Sequence, residues 1–134
     1  MERLKQRLTV ARQALASFKE LAGKTPATVI ERDAALQRFE YTVEATWRLA
    51  QRYLDVVEGL RAGSPKEAVR LCREAGLLTD DDAAIALEMV DDRNLTVHTY
   101  NEHIAQQIHR HLPRYATLLE TWLGNIARRL EQQR

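Results

Sequence analysis

The sequence has one cysteine, three prolines, five glycines, eight aromatics and almost no net charge. Each scarcity removes a class of protein. With Cys72 alone there is no disulfide within the chain and no thiolate zinc site. A free thiol suits a reducing compartment. Few prolines and glycines exclude collagenous and low-complexity architectures. A net charge of +1 gives no global attraction to nucleic acid or membrane. No apolar run approaches the ~18 residues needed to cross a bilayer. The N-terminus alternates charge with leucine, unlike a signal peptide. These features predict a cytoplasmic protein with no membrane association. Valine and isoleucine are scattered and rarely alternate with polar residues, so nothing reads as a strand.

What is present is helical periodicity in 134 residues, one domain's worth of chain. Leu4, Leu8, Ala11, Leu15, Phe18 and Ala22 step by threes and fours and predict a first helix over about 2–22. Gly23 and Thr25-Pro26 stop it. Leu36, Phe39, Val43, Trp47, Ala50, Leu54 and Val57 predict a second over about 29–59, with Glu44 and Arg48 paired at i,i+4 on another face. Ser64, Pro65 and Glu67 form the signature of a capping box with proline at the first helical position, opening a short third helix that Gly76 ends. Thr79 followed by Asp80, Asp81 and Asp82 opens a fourth, which runs through Ile85 and Met89 to about Leu95. The stripe Ile104, Ile108, Leu112, Tyr115, Leu119, Trp122, Ile126 and Leu130 predicts a fifth helix from about Asn101, kinked at Pro113. Each stripe must be buried against another. The expected fold is all-α: an antiparallel up-down bundle of four long helices plus one short one, forming a single domain over 1–134. Trp47, Trp122, Phe18, Phe39 and Cys72 fall on the apolar stripes and read as core or interface residues.

One segment does not fit a bland bundle. Asp91-Asp92-Arg93-Asn94-Leu95-Thr96-Val97-His98-Thr99-Tyr100-Asn101 concentrates arginine, asparagine, histidine and tyrosine between the fourth and fifth helices. Its β-branched run Thr96-Val97-His98-Thr99 is a poor helix former. On an unbroken helix Arg93 and His98 would lie ~140° apart, and His98 and Tyr100 ~160° apart. If the chain opens after Leu95, His98 and Tyr100 point the same way. Alternatively, the functional pairing lies between two copies of the motif across a dimer. An arginine offers a permanently charged fork for phosphate oxygens, and a histidine moves protons near neutral pH. RNA carries its own nucleophile, the 2′-hydroxyl. That set suffices for strand cleavage and demands no metal.

Arg93-x4-His98 resembles the arginine–histidine signature of HEPN domains, with Asn94 as the polar residue that follows the arginine. With Tyr100 the segment is similar to the arginine–x4–histidine–x–tyrosine motif of HepT-like toxins and of the helical nucleotidyltransferase substrate-binding protein family. Phe39-Glu40-Tyr41-Thr42 with Trp47, Ser64-Pro65, and Gly76-Leu77-Leu78 precede it in the family's order. The resemblance implies a HEPN-like helical bundle that dimerises and brings two motifs to one cleft. It implies a toxin of a type VII-like toxin–antitoxin pair, a metal-independent endoribonuclease with Arg93 and His98 catalytic and Asn94 supporting. It implies three partners: a second copy, an RNA substrate and a minimal nucleotidyltransferase antitoxin. That antitoxin would use ATP to adenylylate Tyr100; the toxin itself would need no cofactor. The alternative is a non-catalytic substrate-binding subunit of a nucleotidyltransferase. Two departures stand out: Val97 where the relatives often have serine, and Ala86 where they often have an aromatic.

Other clusters invite blander readings. His103, His109 and His111 do not share a helix face and read as solvated, not as metal ligands. Asp80, Asp81 and Asp82 compensate a helix start, and Glu88, Asp91 and Asp92 read as solvated acids. Residues 1–24 carry six bases and two acids, and residues 61–100 five bases and eight acids. That makes the first helix a basic face, either solvated or open to RNA backbone or an acidic partner.

Overall fold

The computed structural model describes residues 1–25 and 27–133. Five α-helices carry the chain: α1 (Glu2–Ala22), α2 (Val29–Tyr53), α3 (Pro65–Glu74), α4 (Asp80–Leu95) and α5 (Glu102–Glu131). No strand occurs among the described residues. The expected stop at Gly23 is present, although its φ of −101° is an ordinary one, and Pro26 lies outside the described residues.

The helix ends follow local chemistry. Thr28 and Glu31 form a complete capping box at the start of α2, a T-x-x-E pattern that the sequence reading passes over. At α3 the expected box is only half made. Ser64 Oγ accepts from the Glu67 N–H, but the Glu67 carboxylate accepts from the Gly63 N–H at 2.6 Å instead of from Ser64. Gly76, at φ +79°, then closes α3: its own N–H reaches Arg73 O and the Leu77 N–H reaches Cys72 O, the paired bonds of a Schellman motif. Thr79 caps α4 and Asn101 caps α5.

The second helix departs from expectation at its end. The turn Leu54–Glu58 is π-helical, not α-helical, and closes on Gly59 at φ +70°. Both the Gly59 and Leu60 N–H groups reach back to Leu54 O. Glu58 in that turn accepts from the Tyr53 hydroxyl at 2.7 Å and from Arg129 of α5. The fifth helix is continuous through Pro113, because a helix can accommodate one missing N–H where its faces are packed.

Side-chain pairs set the helix directions. Arg38 of α2 donates to Ser17 O and Glu20 near the end of α1, so these helices run antiparallel. Glu88 meets Arg114, and Asp92 meets His111, so α4 and α5 run antiparallel. Arg32 pairs with Glu102 at one end and Arg129 with Glu58 at the other, so α2 and α5 run parallel. This is the up-down order. The core draws on the predicted stripes and extends beyond them, to Ala35, Leu49 and Tyr53 of α2 and Ala105, Leu118 and Leu123 of α5. Phe18 and Phe39 lie 5.8 Å apart, Phe39 stacks on Tyr115 at 5.5 Å, and Trp122, Leu119 and Met89 belong to the same buried cluster. Cys72 is buried with them, which pushes its thiol up to about 12, with Trp122 acting the other way. It is a core residue, not a reactive one. No helix among the described residues is long and apolar enough to cross a membrane.

Candidate functional site

The unusual segment sits where α4 ends and α5 begins. The poor helix formers act as expected: α4 stops at Leu95, and Thr96–His98 continues as one 3-10 turn before the Asn101 cap. Thr96 is buried and ties the junction down, its hydroxyl donating to Arg93 O at 2.6 Å. Thr99 Oγ1 donates to Thr96 O in the same way. The backbone is therefore a tight turn and not extended chain.

That turn does what an opened chain was expected to do: it brings His98 and Tyr100 together. His98 Nδ1 lies 3.2 Å from Tyr100 Oη, with the rings edge-on at 5.8 Å between centroids. Both side chains face solvent. Tyr100 is 84% exposed. Val97, the first departure, is also exposed, at 70%. Ala86, the second, is fully buried on α4, so it alters packing and not the surface of the junction.

Arg93 belongs to a different contact set. It lies in the last turn of α4 and points to α2, with Nη2 3.5 Å from Glu44 Oε2. Among the described residues no hydrogen bond or ion pair joins Arg93 to His98. Asn94 follows Arg93 on α4 and is exposed.

Glu44 is the residue that the sequence reading undervalues. It makes the expected i,i+4 pair, with Arg48 Nε donating at 3.1 Å. It also accepts from the Trp47 indole N–H at 2.9 Å. Burial acts to raise its carboxyl, but the hydrogen bonds from Trp47 and Arg48 outweigh that and hold it below the ordinary carboxylate range. It is therefore an anion at neutral pH and a fixed counter-charge for Arg93. The Arg48 guanidinium in turn lies over the Trp47 ring at 4.2 Å. Only the Glu44–Arg48 spacing carried any signal in the sequence, since the partner on α4 is 49 residues away.

These side chains line a cleft of about 780 Å³ between α1, α2 and the end of α4. Four arginines face it, Arg3, Arg7, Arg48 and Arg93, against two glutamates, Glu40 and Glu44. Tyr41 stands at its edge, 56% exposed.

The remaining clusters resolve into pairs. His103 is exposed. His109 and His111 face opposite ways, the first towards Arg32 and the second to Asp92, 2.9 Å from its Oδ2. Asp92 is not a solvated acid: its side chain is 16% exposed, and it also accepts from the Tyr115 hydroxyl at 2.6 Å. Glu88 and Asp91 pair with Arg114 and Lys66 but stay exposed, as expected of solvated acids. Among the described residues no three histidine, cysteine or acidic side chains gather as metal ligands would.

Known proteins place this architecture. A protein from Thermus thermophilus of solved structure is 57% identical, with a TM-score of 0.85 over 87% of this chain and 98% of its own. A tri-AMPylated Shewanella oneidensis HEPN toxin, solved in complex with an MNT antitoxin, is 16% identical, with a TM-score of 0.72 over 92% of this chain and 96% of its own. The toxin–antitoxin structure MntA-HpeT, solved in a mutant form, gives 15% identity and a TM-score of 0.74 over 95% and 98%. The last two share the helical fold. No curated protein matches the chain. The family model described as nucleotidyltransferase substrate binding protein like matches residues 6–128, and the chain belongs to that family.

Proposed function

We propose that the protein is a HepT-like toxin: a metal-independent endoribonuclease acting through Arg93 and His98, neutralised by a minimal nucleotidyltransferase that adenylylates Tyr100. The observation that carries this reading is the 3.2 Å contact between His98 Nδ1 and Tyr100 Oη on an exposed turn. If Nδ1–H donates to the phenol oxygen, the Nε2 lone pair is left facing solvent as a base. His98 then takes the proton of an RNA 2′-hydroxyl. The 2′-oxygen attacks the adjacent phosphorus, the P–O5′ bond breaks, and the leaving 5′-oxygen takes a proton from solvent, to which the His98 imidazolium then returns its own. The products are a 2′,3′-cyclic phosphate and a 5′-hydroxyl. Arg93 holds the phosphate and offsets its developing negative charge. Asn94 orients Arg93 or His98.

The same contact makes Tyr100 a control point. Attack of Tyr100 Oη on the α-phosphorus of ATP, with pyrophosphate leaving, would put an anionic nucleotide against the His98 ring. Bulk and charge there would exclude an RNA phosphate. The fold shared with a tri-AMPylated toxin bound to its MNT antitoxin supports this reading, as does the fold shared with MntA-HpeT. Because Arg93 turns to Glu44 and not to His98 within the chain, we assign the complete site to a homodimer that sets the Arg93 of one copy near the His98 of the other.

The test is RNA cleavage by purified protein in the presence of a chelator, alongside growth on expression. Cleavage to cyclic-phosphate ends and growth arrest are expected for the native chain. Both should vanish in an Arg93→Ala, His98→Ala double variant that keeps its helical circular dichroism. Arrest retained in that folded variant overturns the mechanism.

A further inference from the structure

We infer that the arginine-lined cleft between α1 and α2 is the groove that carries the single-stranded RNA leading into the site at Arg93. The inference rests on the proposed ribonuclease reading and names the binding surface that reading lacks. His98 and Arg93 supply one base and one phosphate contact, too little to hold a strand against competing salt.

The cleft begins at Arg93 and extends along α2 towards the start of α1. Arg3 and Arg7 are exposed, one helical turn apart on the same face of α1, and across from them on α2 is Arg48. Among the described residues neither Arg3 nor Arg7 has an ion-pair partner, whereas Glu44 holds both Arg48 and Arg93. The acids facing the groove are Glu40 and Glu44, and Glu44 is shared between those two guanidinium groups. The free positive charge therefore lies at Arg3 and Arg7. This is where the excess of bases in residues 1–24 is spatially focused.

Arginines along one wall with an exposed aromatic at the edge suit a single strand: guanidinium groups take successive phosphates and a ring stacks one base. Tyr41 is the exposed aromatic. Glu44 acts here as a positioning residue. It holds Arg48 through one bond at 3.1 Å and draws Arg93 to 3.5 Å, one contact each, so that both guanidinium groups face the cleft with N–H groups to spare.

The experiment measures fluorescence anisotropy of a labelled single-stranded RNA on the full chain carrying His98→Ala, which prevents cleavage. Each lost phosphate contact lowers the slope of log affinity against log salt by about 0.7 for a single strand. Adding Arg3→Ala and Arg7→Ala should lower it by about 1.4, shrinking the affinity ratio between roughly 50 and 200 mM salt by about sevenfold. Arg61→Ala with Arg70→Ala, exposed arginines outside the cleft, removes the same charge and should leave the slope within experimental scatter of the parent. Tyr41→Ala should weaken binding by roughly fivefold or more with the slope unchanged. The inference falls if the His98→Ala chain binds no RNA, or if the Arg3/Arg7 and Arg61/Arg70 variants behave alike. It falls also if the Arg3/Arg7 variant keeps its RNA affinity but changes its sedimentation mass, which would make the cleft an interface between protein chains. Failure of the ribonuclease reading is separable: the native chain would then bind RNA through Arg3 and Arg7 and leave it uncut.

Discussion

Asp92 offers the sharpest test of how the site is held. It sits in the last turn of α4, where the helix dipole disfavours an acid, yet it is nearly buried. Its carboxylate accepts from Tyr115 Oη at 2.6 Å and lies 2.9 Å from His111 Nδ1. Burial and the neighbouring carboxylate both push the Tyr115 hydroxyl above its ordinary value, as expected of a phenol that stays a donor. Replacing Asp92 by Ala leaves a buried hydroxyl without an acceptor, which costs roughly 1–3 kcal/mol. The half-exposed His111 pair adds little. A loss of about 2–3 kcal/mol is expected, with a melting temperature lowered by about 4 °C per kcal/mol at this chain length. Tyr115→Phe alone should cost about 1 kcal/mol. Because the second substitution removes the orphaned donor, the double variant should cost at least ~1 kcal/mol less than the two singles added together. Urea unfolding of the four proteins gives the cycle directly. Strict additivity would refute the assignment, since the cost of Asp92→Ala would then arise elsewhere. The pair bears on the candidate site because Asp92 precedes Arg93: it fastens to α5 the turn of α4 from which Arg93, the proposed phosphate-binding residue, projects.

Two further outcomes follow from local geometry. Gly59 and Gly76 both have left-handed backbone, but a Cβ at Gly59 meets nothing within 4 Å whereas one at Gly76 meets Arg129 Nη2 at 3.0 Å. Gly59→Ala should therefore cost about 1 kcal/mol in urea unfolding, and Gly76→Ala more, because Arg129 must also give up its bond to Ala75 O. His109 Nε2 is buried without a partner, and desolvation, then the charge of Arg32, lowers the imidazole below its ordinary value of 6.5. The unfolded chain thus binds the proton more readily, and stability is lost as pH falls below 6.5 towards the lower folded value. His109→Gln should flatten the change in melting temperature between neutral pH and that range; an unchanged profile would assign it to other groups.

Periodicity made the helices legible. Every stripe residue of α1, α2 and α5 is buried or half-buried, but α2 and α5 also bury residues off the stripe, among them Leu49, Tyr53, Leu118 and Leu123, because more than one neighbouring helix packs against each. The ends were legible wherever a capping residue announced them, as at Ser64, Thr79 and Gly76. The π turn at Leu54–Glu58 was not: its apolar residues continue the helical stripe, and its long-range side-chain hydrogen bond, Glu58 with Arg129, joins residues 71 apart. Of the acids late in α4, Glu88 and Asp91 are solvated, as their sequence suggests, and only Asp92 is withdrawn, because α5 brings His111 and Tyr115 against it.

The candidate site divides along that line. Its His98–Tyr100 half was readable because the cause is local: three β-branched residues interrupt the helix, a 3-10 turn takes over, and side chains two apart come within 3.2 Å. Its Arg93 half was not, because the residue that aims the guanidinium lies on α2 and the arginines that extend the cleft lie on α1. Packing thus places the two halves differently: His98 and Tyr100 lie on an exposed turn, while Arg93 faces the cleft beside Glu44. Under the proposed mechanism the first would move the proton and the second would bind the phosphate. A nucleotide added at Tyr100 would keep the RNA phosphate out of the assembled site while leaving Arg3 and Arg7 on α1 unobstructed, so an adenylylated chain should keep the part of its RNA affinity that depends on α1 yet fail to cut.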